Sequence, residues 1–327
     1  MIQKKIKVAF IYKTSDKFFS GTHFDNTTYD FFMKALKRNS EIEVTYFHGE
    51  NEFDTRILKG KFDIVLLAGN TDTGAPSKLI GINELSIPVI SRTGDFHNAP
   101  KYNSYQFHEK YKIDYYFNFM DESYFYKFYP RNYNYKVIIF GLETSLFQNV
   151  RPFKERIKNK IINSGALGNP KISSRLANKI LNPKRTGWYF YKLRTMCNKL
   201  DYVEHTREIK KEENENYISQ LAKYRAAIAA TTFYPTIKYW ETAGAGCLTF
   251  MEITDINHGK YLGYEDNKTA IFINEKNYKT KFEKFLNDPD NPEWENIANA
   301  GRKFTIENIN NDKAVKSLVN LMKELIR

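Results

Sequence analysis

The chain has 327 residues, enough for two domains of ordinary size that each bury a core. Fifty Lys and Arg against thirty-eight Asp and Glu leave a formal charge of +12. That balance favours anionic partners such as nucleotides, nucleic acid or an acidic membrane surface, although the charges look spread and lysine richness alone can produce it. Two cysteines, Cys197 and Cys247, exclude a disulfide framework and a Cys-rich zinc site. The six histidines are scattered without metal-ligand spacing. Met1–Lys13 holds only a brief apolar run, and no stretch approaches the ~20 apolar residues that span a bilayer. A cytoplasmic protein is expected, with membrane contact at most peripheral.

Ile6–Tyr12 reads as a first strand feeding the loop Ser20–His23, followed by a helix over 27–38 with Thr27 as N-cap. Further strands are predicted at 43–48, 62–69, 87–91, 113–119 and 136–141. The unbroken apolar centre of 62–69 marks an interior parallel strand. Strands alternating with helical or loop crossovers indicate a doubly wound α/β domain. The pattern lapses over Glu143–Arg156, which contains Pro152, so the interdomain hinge is placed there and the domains at 1–150 and 151–327. A second set begins with a strand-to-loop segment ending at Gly165. A basic stretch, Asn169–Arg194, is predicted helical in two pieces broken at Pro183. A short strand at 200–204, a charged stretch at 207–215, a helix at 217–224 and a buried strand at 226–231 follow. Beyond residue 251, a loop at 261–264 and a strand at 269–273 precede helices at 278–286, 294–305 and 312–326. The last carries helical apolar spacing at Val315, Leu318, Val319 and Met322.

The most informative stretch is Phe233–Met251. Pro235 suits a helix start, Thr236–Ala243 tolerates helix, Gly244 and Gly246 stop it, and 247–251 is an apolar strand. Lys238 and Glu241, three apart, share a helix face. A helix start with a cation beside it suits a phosphate, and the carboxylate suits a ribose hydroxyl.

The pattern aromatic, Lys-x-x-Glu-x-x-Ala-x-Gly and apolar strand resembles the C-terminal half of nucleotide-sugar glycosyltransferases of the GT-B fold. The nearest likeness is to the group 1 and spore-maturation-type transferases, and it covers roughly residues 157–327. It implies two Rossmann-like doubly wound parallel-sheet domains. The N-terminal one takes the acceptor, the C-terminal one the nucleotide-sugar donor, and the last helix, 312–327, crosses back to the first domain. Glu241 sits on the family's ribose-binding position. Many retaining members carry a second glutamate seven residues earlier, where this chain has Tyr234, so no retaining mechanism is carried over.

On that basis Lys238 is the candidate for the donor diphosphate, with Thr236, Thr242 and Arg175 as further donor contacts. Asp95 and His97, following a predicted strand, are the candidate acid/base pair, and His23 is the alternative base. Trp240 and Tyr239 read as core. Gly69–Gly74 has spaced glycines but lacks the Lys-Ser/Thr of a phosphate loop. No Asp-x-Asp pair stands at a strand end, so no essential metal or cofactor is expected, and the departing diphosphate would be met by basic residues. The expected function is sugar transfer from a nucleotide-diphosphate sugar to an unidentified glycan, lipid-linked sugar or protein. The competing readings are a nucleic-acid-binding protein, suggested by charge and by Lys184–Tyr189, a DNA-modifying glucosyltransferase, and an inert scaffold of the same fold.

Overall fold

The computed structural model describes residues 4–13, 34–71, 74–100, 103–169, 171–181, 187–206 and 217–327. The chain divides into two compact units, Met1–Glu143 with Asn310–Arg327, and Thr144–Ile309.

The first unit is built on β1 (Ile6–Tyr12), β2 (Ile42–His48), β4 (Ile64–Leu67), β6 (Val89–Arg92), β7 (Tyr115–Asn118) and β8 (Tyr135–Val137). They form one all-parallel sheet in the order β2-β1-β4-β6-β7-β8. Two strands that the sequence pattern did not suggest, β3 (Glu52–Asp54) and β5 (Lys78–Ile80), pair in a separate small parallel sheet. Each is three residues long, too short for a period to register. Of the helix expected over 27–38, only Leu36–Arg38 is assigned α-helical among the described residues. Val8, Phe10, Leu66 and Phe117 pack in one core with Ala314, Val315, Leu318, Val319 and Met322 of the helix Asn311–Leu325. That helix is anchored at its start, where the Asn311 backbone N–H donates to the Leu142 carbonyl at 2.9 Å and its side-chain oxygen accepts from Gly141 N–H at 2.8 Å. Arg38 adds ion pairs to Asp312 and Glu143 at 2.7 and 3.1 Å. Much of the aromatic content is structural: Phe125 stacks on both Tyr129 and Tyr135, with ring centres 4.4 and 4.2 Å apart.

The second unit holds β9 (Ile157–Asn163), β10 (Val203–His205), β11 (Tyr224–Ala229), β12 (Leu248–Glu252) and β13 (Ile271–Ile273). All pairings are parallel and the order is β10-β9-β11-β12-β13. The central strands β11 and β12 are buried throughout, which explains runs such as Ala226–Ala230 and Leu248–Met251 that are apolar without alternation. The basic stretch forms helices at Ile172–Leu181, Gly187–Phe190 and Lys192–Cys197. The helices Tyr278–Asn287 and Pro292–Asn308 contribute Phe282, Phe285, Trp294 and Ile297 to the core beneath the sheet.

Candidate functional site

In the second sheet β10 lies on one side of β9, while β11, β12 and β13 continue on the other. A parallel sheet that reverses its order in this way leaves room for a ligand beyond the carboxyl ends of the strands at the reversal. The residues that follow those ends are Ser164 and Gly165 after β9, and Thr231 and Thr232 after β11, while Glu252 closes β12.

The helix Lys238–Gly244 is held against these strand ends by its own buried aromatics. Tyr239 and Trp240 are fully buried, as the sequence pattern indicated. The Tyr239 hydroxyl donates to the Glu252 carbonyl at 2.9 Å and accepts from Thr231 N–H at 3.1 Å. Gly246 ends the helix in the left-handed region (φ +74°), with Gly246 N–H on the Ala243 carbonyl and Cys247 N–H on that of Thr242. Arg156 closes the same end by donating to the carbonyls of Ala245 and Gly246. The helix has seven residues and starts at Lys238, two later than expected. So few aligned peptide dipoles contribute little, and most of the charge here comes from side chains.

Lys238 and Glu241 meet in the first turn, with Nζ 2.6 Å from Oε2. The Lys238 ammonium also lies over the Tyr217 ring, 4.1 Å from its centre, and the Tyr217 hydroxyl is 2.6 Å from Ser164 Oγ. Burial alone would push the lysine pKa down. The adjoining carboxylate and phenol outweigh it, so the pKa lies above the usual lysine value and the group is a cation at neutral pH. Its side chain keeps 19% exposure, so the cation is not sealed off.

A second cation, which sequence reasoning missed, stands beside it. Arg194, on Lys192–Cys197, is 2% exposed and donates to the Ala166 carbonyl at 3.3 Å. Its Nη1 and Cε of Lys238 lie 2.7 and 3.7 Å from the point that a Cβ on Gly165 would occupy. Gly165 has φ +103°, so glycine is required there both by the backbone and by these neighbours. Nε and Nη2 of Arg194 have no hydrogen-bond partner among the described residues. The same holds for the hydroxyls of Thr232 and Thr236 and for Oε2 of Glu252. Glu252 is 4% exposed, and burial, reinforced by Glu275, pushes its carboxyl up to about 8 against the pull of Arg194 and Lys192. Buried polar groups are rarely left unsatisfied. Here the two cations stand at the strand ends, with Thr232 in the segment after β11, Thr236 two residues before Lys238 and Glu252 at the end of β12, an arrangement able to take an anionic, hydroxyl-rich ligand. The sequence offered one hint: Arg194 is a lone cation within an otherwise core-like stretch, Leu193–Cys197.

The other expected donor contacts fare unequally. Thr236 stands at the helix start with its hydroxyl unengaged. Thr242 is fully buried and its hydroxyl donates back to the Lys238 carbonyl at 2.7 Å, the self-bonding typical of a helical threonine, so it is not a donor contact. Arg175 stacks over Trp188 at 4.2 Å, and the buried guanidinium beside Lys238 belongs to Arg194 instead. Tyr234, at the position of the missing glutamate, is 3% exposed and packs on Phe190 with ring centres 4.8 Å apart.

In the first unit, Asp95 and His97 follow β6, with Oδ2 and Nε2 3.9 Å apart; Asp95 is half exposed and His97 nearly buried. The turn that holds them is braced by Asn70, which accepts from Gly94 N–H at 3.4 Å and donates to the Tyr129 hydroxyl at 2.8 Å. His23 lies outside the described residues. Among the described residues no group of three or more His, Cys, Asp or Glu could hold a metal ion, and no helix is long and apolar enough to cross a membrane.

No family model and no curated protein matches this sequence. Solved structures do. Sucrose-phosphate synthase from Thermosynechococcus elongatus matches with TM-score 0.59 and 10% identity over 98% of this chain and 99% of that one. HepE of Anabaena, in complex with UDP and glucose, matches with TM-score 0.56 and 10% identity over 98% and 100%. An α-glucosyltransferase in complex with UDP-glucose and DNA gives TM-score 0.55 and 10% identity, again over 98% and 100%. Against the pneumococcal O-GlcNAc transferase GtfA the chain spans 59% of that protein's length, at TM-score 0.46. With two units each built on a parallel sheet and near-complete alignment to the first three of these structures, the chain adopts the GT-B fold.

Proposed function

We propose that this protein is a glycosyltransferase that moves a sugar from a nucleotide-diphosphate sugar to an acceptor hydroxyl. The observation that carries the reading is the paired cations Lys238 and Arg194 beside Gly165 at the sheet's reversal point, with Arg194 Nε and Nη2 unsatisfied among the described residues. Lys238 and Arg194 receive the diphosphate, with the Thr236 hydroxyl beside them. Glu241, held by Lys238, accepts from the ribose hydroxyls. HepE and the α-glucosyltransferase, two proteins of like fold, bind UDP-glucose, which favours a uridine donor. In the reaction the acceptor oxygen bonds to the sugar's anomeric carbon while the bond from that carbon to the phosphate oxygen breaks. The nucleoside diphosphate leaves with the electron pair, and Asp95 or His97 takes the hydroxyl proton. Two protein cations meet the charge that develops on the leaving group, the part a metal plays in other designs.

Thermal shift with UDP, GDP, ADP and dTDP tests the donor site. One nucleotide, with UDP favoured, should raise the melting temperature by a few degrees at about a hundredfold excess over Kd, with or without a chelator. Glu241→Ala and Arg194→Gln should each weaken that nucleotide about tenfold or more. Four nucleotides without effect, or a full shift retained in both variants, would remove the reading.

A further inference from the structure

The helix Ile172–Leu181 is turned inside out relative to an ordinary surface helix. The residues that are not fully exposed are polar: Arg175 lies over Trp188 and Ser174 is half buried. Its apolar side faces out: Ile172, Leu176, Ile180 and Leu181 are 72, 57, 77 and 76% exposed. The first three recur every four residues and form a single stripe. Globular helices bury such a stripe, and this one leaves four large aliphatics in water.

The charge of the neighbouring sequence bears on what would cover them, with Arg156 and Arg194 buried and Lys158 and Lys192 paired to Asp290 and Glu275. From Arg156 to Leu200 there is no Asp or Glu in forty-five residues, while eleven are Lys or Arg. The even spread of charge suggested by the whole-chain balance therefore fails here. Lys171, just before the helix, and Lys179, on it, are both exposed beside the apolar stripe. A second copy of this chain, docked symmetrically, would bring two such basic stretches together. Nucleic acid would answer the charge but offers no hydrocarbon for the aliphatic stripe. An anionic bilayer surface answers both.

We infer that Ile172–Leu181 is an interfacial helix that docks the protein on anionic lipid, its aliphatic stripe entering the headgroup boundary and its lysines lying against the lipid phosphates. Tyr189, partly exposed in the next helix, adds an aromatic of the kind that settles at such boundaries. This docking would bring the enzyme to a surface where lipid-borne acceptors reside, but it stands independently of which donor is used.

Co-sedimentation of the full chain with vesicles tests it, using phosphatidylcholine alone and with about one-third phosphatidylglycerol. The anionic vesicles should bind at least tenfold more tightly, and the difference should shrink with salt. The triple variant Ile172→Ser, Leu176→Ser, Ile180→Ser should lose tenfold or more. Lys171→Gln with Lys179→Gln should also weaken binding, by about fivefold per cation. The positions are exposed, so melting temperatures and any nucleotide shift should be unchanged, which separates this result from failure of the donor site. Absence of vesicle binding, or equal binding by the triple variant, would overturn the inference. So would a concentration-dependent dimer or a duplex-DNA complex that the triple variant abolishes while vesicle binding is missing.

Discussion

Glu252 is the residue whose ionisation the fold resists. Its carboxyl titrates at about 8 in the folded chain, raised above its usual value first by burial and then by Glu275. A raised carboxyl binds its proton more tightly when folded than when unfolded, so its stabilising contribution is complete below the ordinary carboxylate range. It is lost as pH rises through about 8. Melting temperature should therefore fall more steeply for the wild type than for Glu252→Gln between about pH 6 and about pH 9. Parallel curves for the two proteins would show that Glu252 does not titrate in this range. Residues of this kind were the least legible in the sequence. The pairing of Lys238 with Glu241 could be read because their spacing puts them on one helix turn. Arg194 and Glu252 come from other elements; locally Arg194 shows only as a lone cation in a core-like stretch, and Glu252 is not marked at all. Thr242 shows the reverse error: adjacent to Glu241 in sequence, it spends its hydroxyl on its own helix.

Elements were more legible than residues because each carries its signal locally. β1 was readable to its ends, and the apolar interior strands β4, β11 and β12 were readable to within a few residues. Boundaries slipped where tertiary hydrogen bonding decides them, as in β8, which stops at Val137 although the apolar run continues to Phe140. The glycine stop after Ala243 was recognisable, but only the structure divides the work. Gly244 is the last helical residue and Gly246 takes the left-handed turn. Gly246→Ala should cost about 1 kcal/mol for that backbone conformation, and more because the added methyl would sit 3.0 Å from the Arg156 guanidinium. Gly244 is helical rather than left-handed, so Gly244→Ala escapes that backbone cost. Denaturant melts of the two variants give the ranking, and equal losses would mean that the turn does not set the helix end.

At the scale of the molecule, the parallel sheets followed from strand and crossover alternation, but strand order did not, because order depends on long-range pairing that no local pattern encodes. The apolar spacing of Asn311–Leu325 marked it as a helix, whereas its return to the first unit was expected from the family resemblance and is encoded in no local pattern. Leu318 is fully buried there, so Leu318→Ala should destabilise the first unit by about 2 to 5 kcal/mol. Limited proteolysis should then nick Met1–Glu143 before Thr144–Ile309. Cleavage in the opposite order would place the helix's packing energy elsewhere.

The membership of that helix also fixes an order of events at the ribosome. Thr144–Ile309 interrupts the first unit, and Asn311 must return to Gly141 and Leu142 before that unit is sealed. The part made first is thus finished last: its sheet must wait, with one face bare, through the synthesis of an entire second unit. Translation stalled just before Asn310 should leave a nascent chain whose middle is protected and whose leading portion is a client for chaperones.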